Sequence, residues 1–121
     1  MATDGFSWTT LGKKSDLVPG AGVGARYGDR QVALFWIPEL EDSILAVDNY
    51  CPVSGVNIIG RGIVGDIEGE PVVATPLYKK HFSLLDGRCI EKPDLKLETY
   101  SVRLSDGLVQ VAPAHEETSA A

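Results

Sequence analysis

The feature that most constrains this chain is a pair of Asp-Gly dipeptides set between short apolar segments near its C-terminal end. Asp-Gly between alternating apolar residues is a strong signal of a two-residue β-hairpin turn, because these residues tolerate the positive φ angles that the turn requires. Two hairpins are predicted: residues 82–85 with 88–90 around Asp86-Gly87, and residues 97–104 with 108–111 around Asp106-Gly107. Such local pairings predict antiparallel β structure.

Four further segments have the β-branched and aromatic composition of strands, namely residues 22–27, 31–36, 43–48 and 71–74. Pro38 is expected to end the second of them, because proline cannot donate to a β ladder. No segment sustains helical periodicity over three turns. Short strands separated by turns at roughly ten-residue intervals predict an all-β domain, a small antiparallel sandwich or barrel.

Length and composition limit the possible classes of protein. A chain of 121 residues with 44% apolar and 23% charged residues fits one globular domain. It contains no apolar run long enough to span a membrane, and residues 1–5 lack the basic and apolar parts of a signal peptide, so the cytoplasm is the expected location. The net charge of −6 disfavours nucleic acid and anionic membranes as partners.

The domain boundaries follow from two segments without a clear apolar pattern. Residues 113–121 are polar and acidic and are expected to form a disordered tail, which leaves residues 6–112 as the domain. Residues 57–70 are rich in glycine and are interpreted as a long loop without secondary structure. Because this loop carries isoleucine and valine, it is either a surface excursion or a functional element that packs its apolar side chains against a partner.

The cysteines and histidines are too few for a disulfide scaffold or a zinc site of four thiolates. Cys51 and Cys89 are expected to be free thiols, and the histidines are His81 and His115. A catalytic pair of Cys51 and His81 would make the chain a free-standing thiol enzyme. The sequence supplies no third group to orient such a pair, and this hypothesis therefore has little support.

Two loops resemble the metal-binding loops of Rieske-type domains, which read C-P-H-x-G and C-P-x-H-G-x-x-F. Their counterparts here are residues 49–56, which include Cys51-Pro52-Val53-Ser54-Gly55, and residues 75–82, which run from Thr75 to Phe82. A Rieske [2Fe–2S] cluster requires two thiolates and two imidazoles. The four ligand positions are Cys51, Val53, Thr75 and Tyr78 here, so the resemblance implies a Rieske-like fold with two loops at one tip and no metal site.

Longer phrases narrow the resemblance. Residues 62–66 (G-I-V-G-D) and residues 76–82 (P-L-Y-K-K-H-F) are similar to the small subunit of bacterial NADH-dependent assimilatory nitrite reductase. The similarity extends over residues 6–112. It implies a cluster-free, non-catalytic chain that supports a large subunit. That large subunit is expected to carry FAD, an iron–sulfur cluster and siroheme, and to reduce nitrite to ammonia with electrons from NADH during nitrate assimilation.

This interpretation assigns the chain no catalytic and no cofactor-binding residues, and it gives the loops a role in docking. Apolar and aromatic side chains ringed by charge are typical of a binding surface. The candidate docking residues are Tyr78, Lys79, Lys80, His81, Ile63 and Val64. The alternative function is a Rieske-type [2Fe–2S] electron-transfer ferredoxin, against which the missing ligands argue.

Overall fold

The structure is a computed structural model that describes residues 8–76 and 79–113. Within these ranges, nine strands form two antiparallel sheets. The strands are β1 (Thr9–Lys13), β2 (Gly22–Tyr27), β3 (Arg30–Ile37), β4 (Ser43–Asp48), β5 (Ile63–Ile67), β6 (Glu70–Ala74), β7 (His81–Ser83), β8 (Thr99–Ser105) and β9 (Leu108–Pro113). The larger sheet has the order β1-β9-β8-β4-β3-β2, and the smaller has the order β5-β6-β7.

Strand β3 connects two apolar clusters because it is buried on both faces. Its residues Ala33, Phe35 and Ile37 belong to the cluster between the two sheets. Val32 and Leu34, which point to the other face, belong to a second cluster inside the curved larger sheet. The edge strands β1 and β2 of that sheet come into contact, so the sheet is nearly closed. The all-β prediction is confirmed.

Most of the predicted strands agree with the structure. Strands β2 and β4 have the predicted bounds, and β3 ends at Ile37, directly before Pro38. The second predicted hairpin joins β8 to β9, and its turn residues Asp106 and Gly107 have φ angles of 53° and 78°. These positive angles are the ones that a two-residue turn of this kind requires.

The interpretation of residues 57–70 as a loop without secondary structure is wrong. The segment contains a 3-10 turn at Ile59–Arg61 and the whole of β5, which pairs with β6 over five residues. Its turn residues Glu68 and Gly69 both have positive φ angles, 51° and 86°. The glycines that favoured a loop in the sequence are compatible with a strand here, because β5 lies at the edge of its sheet.

The first predicted hairpin is wider than expected. Ser83 donates its N–H to the carbonyl of Arg88 at 2.8 Å, and Gly87 donates to the carbonyl of Ser83 at 3.0 Å. The loop therefore spans residues 84–87, and Cys89 reaches Phe82 only through an isolated bridge. The two-residue turn at Asp86-Gly87 was a wrong prediction, because Leu84 packs into the core instead of continuing the strand.

Two further differences concern the ends of the domain. Strand β1 was not predicted; it pairs with β9 along the edge of the larger sheet. Pro113 was assigned to a disordered tail, but it pairs with Tyr100 as the last residue of β9, next to the buried Ala112. The rest of the predicted tail, residues 114–121, lies outside the described residues. In the described part of the chain, no helix is long and apolar enough to cross a membrane.

Two glycines in strands provide a test of this packing. A Cβ atom on Gly22 would lie 2.4 Å from the carbonyl oxygen of Gly60 and 2.6 Å from the Phe35 ring, whereas one on Gly65 would lie 4.0 Å from its nearest neighbour, Val72. We expect Gly22→Ala to lower the free energy of unfolding by about 1–3 kcal/mol, and Gly65→Ala to change it little. Urea denaturation measures both, and equal stability of the two variants would contradict the packing.

Candidate functional site

The first loop is held by Asn49, the buried residue that follows β4. Its side-chain oxygen accepts the N–H of Gly60 at 2.6 Å, and its side-chain nitrogen donates to Gln31 at 2.9 Å. Its backbone carbonyl accepts the N–H of Ile59 at 3.0 Å. The side chain and the backbone of this one residue thus connect the first loop to β3 and to the 3-10 turn before β5. These bonds fix the start of the loop relative to both elements.

The loop itself closes on Cys51. The Cys51 N–H donates to the carbonyl of Val56 at 2.8 Å, and the Cys51 carbonyl accepts the N–H of Gly55 at 2.7 Å. Gly55 has a φ angle of 78°, which favours glycine at this position. The Cys51 side chain is fully buried, and Val53 packs against the same cluster between the sheets. Both residues therefore contribute to the apolar core.

The second loop closes on Thr75, which is 2% exposed. The Thr75 N–H donates to the carbonyl of Lys80 at 2.8 Å, and the Thr75 hydroxyl accepts the N–H of Lys80 at 3.0 Å. Two hydrogen bonds thus join the start and the end of the loop. Between them, Lys79 has a φ angle of 46°, a strained conformation for a lysine. Leu77 and Tyr78 lie outside the described residues.

The residues at these positions do not fit a Rieske cluster. Val53 has no donor atom, and the Thr75 hydroxyl is engaged by the backbone of its own loop. Threonine and neutral tyrosine are poor ligands where iron requires thiolate and imidazole. Among the described residues, no three His, Cys, Asp or Glu side chains are grouped closely enough to hold a metal ion. Hydrogen bonds and apolar packing hold these two loops.

His81 forms a polar pair that the sequence did not suggest. Its Nδ1 lies 2.5 Å from one carboxylate oxygen of Glu91, and its backbone N–H donates to the other oxygen at 2.8 Å. Burial raises the pKa of Glu91, but the hydrogen bonds from His81 outweigh it, and the pKa is lowered overall. Glu91 was missed because it is ten residues away, in a segment with no motif.

The structure argues against a catalytic pair of Cys51 and His81. The cysteine beside the His81–Glu91 pair is Cys89, whose Sγ lies 3.7 Å from Glu91. Cys51 and Cys89 are both free and fully buried, so neither presents a thiol to a substrate. His115 lies outside the described residues.

The docking candidates within the described residues are divided between two faces of the smaller sheet. Ile63, Ala74 and His81 are paired across β5, β6 and β7 and therefore share the outer face, where Ile63 is 77% exposed. Val64 points to the inner face and packs against the core. Lys79 is exposed, and Lys80 is partly buried.

The first loop adds exposed apolar side chains that the sequence argument did not select. Tyr50 is 51% exposed and Val56 is 44% exposed. Both flank the Cys51 turn, and Tyr50 forms an isolated bridge with Asn57. No sequence signal marks these two residues as exposed, because consecutive residues of this chain can both be buried, as they are in β3.

Comparison with known proteins defines the class of this domain. Residues 7–112 match the model of the Rieske-like [2Fe-2S] domain family. The solved structure of the Escherichia coli protein NirD superposes with a TM-score of 0.79 at 36% identity, covering 87% of this chain and 94% of that one. The chain therefore has a Rieske-like fold.

The sequence relatives identify the family more narrowly. The nitrite reductase (NADH) small subunit of Salmonella typhimurium is 38% identical over 104 residues, which cover 86% of this chain and 95% of that protein. The nitrite reductase [NAD(P)H] large subunit of Klebsiella oxytoca is 42% identical over 91 residues, which cover 75% of this chain but 9% of that protein. This chain belongs to the family of nitrite reductase (NADH) small subunits.

The closure of the second loop can be tested at Thr75. Thr75→Val preserves the shape of the side chain but removes the acceptor for the Lys80 N–H, and we expect it to lower the free energy of unfolding by about 1–2 kcal/mol. Thr75→Ser retains the hydroxyl and serves as the matched control. Chemical denaturation and the exchange rate of the Lys80 amide are the measurements. Unchanged exchange in the valine variant would contradict this role of Thr75.

Proposed function

We propose that this chain is the non-catalytic small subunit of an NADH-dependent nitrite reductase and binds the large subunit that reduces nitrite to ammonia. The observation that carries the proposal is the similarity to a small subunit along 95% of that protein's length. The Klebsiella oxytoca match supports the partner. A large subunit there contains a segment similar to this domain within its own chain, so the two units are covalently joined in that protein.

The proposed division of cofactors combines the donor set of this chain with its family resemblance. Cys51, Val53 and Thr75 do not offer the ligands of a Rieske centre, so no cluster is assigned to this chain. FAD, an iron–sulfur cluster and siroheme are assigned to the large subunit, as the resemblance implies. The large subunit would transfer electrons from NADH to nitrite during nitrate assimilation. This chain alone would neither oxidise NADH nor reduce nitrite. The cytoplasm remains its predicted location.

The alternative, a Rieske-type ferredoxin, makes an opposite prediction about iron. We expect the purified chain to be colourless and to contain no stoichiometric iron after anaerobic reconstitution with iron and sulfide. Iron analysis and visible absorption spectra are the measurements, and a natural Rieske ferredoxin treated in parallel is the positive control. One cluster per chain with charge-transfer bands in the visible region would support the ferredoxin instead.

We propose that the docking surface comprises the second loop and the outer face of the smaller sheet. Its candidates are Tyr78, Lys79, Lys80, His81, Ile63 and Val64. The exposure of Ile63 supports this proposal, because a large apolar side chain left in water is typical of a binding patch. Val64 would act indirectly, by supporting β5 from the inner face, where it packs against the core. Two lysines on an acidic chain would orient the approach of an acidic partner surface.

Single substitutions test this surface. Ile63→Asp and Tyr78→Ala are each expected to weaken association with the large subunit, by about 2 kcal/mol if the residue is a hot spot. Leu104→Asp is the matched control for Ile63, because Leu104 is also exposed but lies on the larger sheet. Titration of each folded variant against the large subunit is the measurement.

Charge reversal separates steering from contact. Changing both Lys79 and Lys80 to glutamate should mainly slow association, and more strongly at low salt. Lys13→Glu, on β1, is the control for a charge change elsewhere. The control variants should bind like the parent. If the variants at Ile63 and Tyr78 and the double lysine variant also bind like the parent, the docking surface lies elsewhere on the domain.

A further inference from the structure

Beside β5 lies a groove that shares only Val64 with the docking surface described above. The groove has a volume of about 440 Å³ and lies where the two sheets part. Its floor is apolar, with Ile37, Leu40 and Val64, all of which belong to the core or pack against it. A cavity of this size is within the range of sites that bind a ligand or a peptide side chain.

The groove borders the inner face of β5, next to the strand's free edge. Val64, Gly65 and Asp66 all line it. Val64 and Asp66 point to the inner face, as does Pro71 of β6, which pairs with Asp66 and also lines the groove. β5 pairs with β6 on its other side, and no other strand of residues 8–76 and 79–113 pairs with it.

The register of the β5–β6 pair shows which backbone groups of β5 are left unpaired by β6. Pro71 pairs with Asp66, and its carbonyl accepts the N–H of Leu84 at 2.9 Å, on the side of β6 away from β5. Asp66 is therefore at a non-hydrogen-bonded position of the β5–β6 pair, as is Val64 two residues before it. The N–H and C=O groups of both residues point away from β6, to the free edge of β5 beside the groove. In the described ranges, no backbone hydrogen bond outside the sheets involves either residue.

The opposite wall is a preformed turn between β3 and β4. Asp42 accepts a hydrogen bond from the Trp36 indole at 2.6 Å and forms an ion pair with Lys14 at 3.0 Å. Glu41 and Asp42 both have positive φ angles, which these contacts maintain. A wall that is already ordered reduces the entropy that an occupant must lose on binding.

The charges around the groove indicate the chemistry of its occupant. Glu39 and Asp66 line the groove, and Glu41 and Glu68 lie in the turns on either side of it. None of these four carboxylates takes part in an ion pair among the described residues. An apolar floor with an acidic rim is complementary to an apolar side chain flanked by lysine or arginine.

We propose that an extended, basic segment of the large subunit adds to β5 as a fourth strand of the smaller sheet. Its backbone would pair with Val64 and Asp66, an apolar side chain would enter the groove, and a basic residue would contact Glu39 or Asp66. This proposal rests on the proposed function. Strand addition of this kind takes its affinity from the backbone and its specificity from the pockets beside it.

Two other occupants are less compatible with the charges. A second copy of this chain paired through β5 would bring two acidic edges together. Residues 114–121 of the chain itself contain two glutamates and no lysine or arginine. Like charges placed next to each other across an interface oppose binding. The basic segment of the partner is therefore the occupant that we test.

The test uses two substitutions at Asp66. Asp66→Pro removes the carboxylate and also the backbone N–H, which points to the free edge of β5 and donates no hydrogen bond in the β5–β6 ladder. Asp66→Ala removes the carboxylate but keeps the N–H. We expect the proline variant to bind the large subunit about tenfold more weakly than the alanine variant. The alanine variant should in turn bind more weakly than the parent, and more so at low salt. Equal affinities of the proline and alanine variants would overturn the proposal.

Hydrogen exchange on the parent chain gives a measurement that does not depend on a variant folding. The Val64 and Asp66 amides should exchange freely in the isolated chain and become protected in the complex with the large subunit. Protection of the second loop alone would reject the edge of β5 but preserve the proposed function. No association of the parent with the large subunit would reject both proposals.

The other occupants would be recognised in the isolated chain. If sedimentation shows a dimer that Asp66→Pro dissociates, the occupant is a second copy and the proposal is wrong. If the Val64 and Asp66 amides are already protected in the monomer, and lose that protection when the chain is truncated after Pro113, the occupant is the chain's own C-terminal segment. This result would also overturn the proposal.

Discussion

The burial of β3 on both faces is the constraint on which the rest of the structure depends. Its odd-numbered residues face the cluster between the sheets, and its even-numbered residues face the cluster inside the larger sheet. A strand of this kind cannot shift its register by one residue without exchanging the contents of both clusters. The register of β3 therefore fixes β2 and β4 beside it, and the loop after β4 begins at a defined position.

The two loops at the tip show how a Rieske-like fold can be closed without a metal centre. In a cluster-bearing domain the metal joins the two loops, and each ligand is held by a coordinate bond. Here each loop is closed by its own hydrogen bonds. The Cys51 backbone is hydrogen-bonded to Val56 and Gly55, and Thr75 is hydrogen-bonded to Lys80 through both its backbone and its hydroxyl. Val53 and Cys51 then fill the space beneath with apolar contact. Such bonds contribute about 1 kcal/mol each, so core packing must supply the remaining stability.

The sequence allowed the fold to be predicted where local chemistry determines local structure. Asp106-Gly107 is followed by a short alternating strand, and it forms the turn that its residues favour. Asp86-Gly87 has the same letters, but the burial of Leu84 widens the loop, and burial depends on tertiary contacts that the sequence does not show. β5 was missed for a related reason: Gly65 and the glycines beside the strand lower strand propensity, and the pairing of β5 with β6 overrides that preference.

The candidate site was less predictable because its residues are brought together by the fold. The loop positions could be read from motif spacing, but Glu91 reaches His81 only because the segment after β7 returns along the sheet. The outward position of Ile63 and the inward position of Val64 follow from the register of β5, which a loop assignment cannot give.

The position of β5 explains how one short strand could serve two contacts with the same partner. Its outer face carries Ile63, in line with Ala74 and His81 across the sheet, and its inner face borders the acidic groove. Because the two surfaces have opposite charge, each would repel the part of the partner that fits the other. A partner that approaches in the wrong orientation would place like charges together at both surfaces at once. The arrangement would therefore specify orientation more strongly than either surface alone, which suits a subunit whose proposed role is to bind its partner.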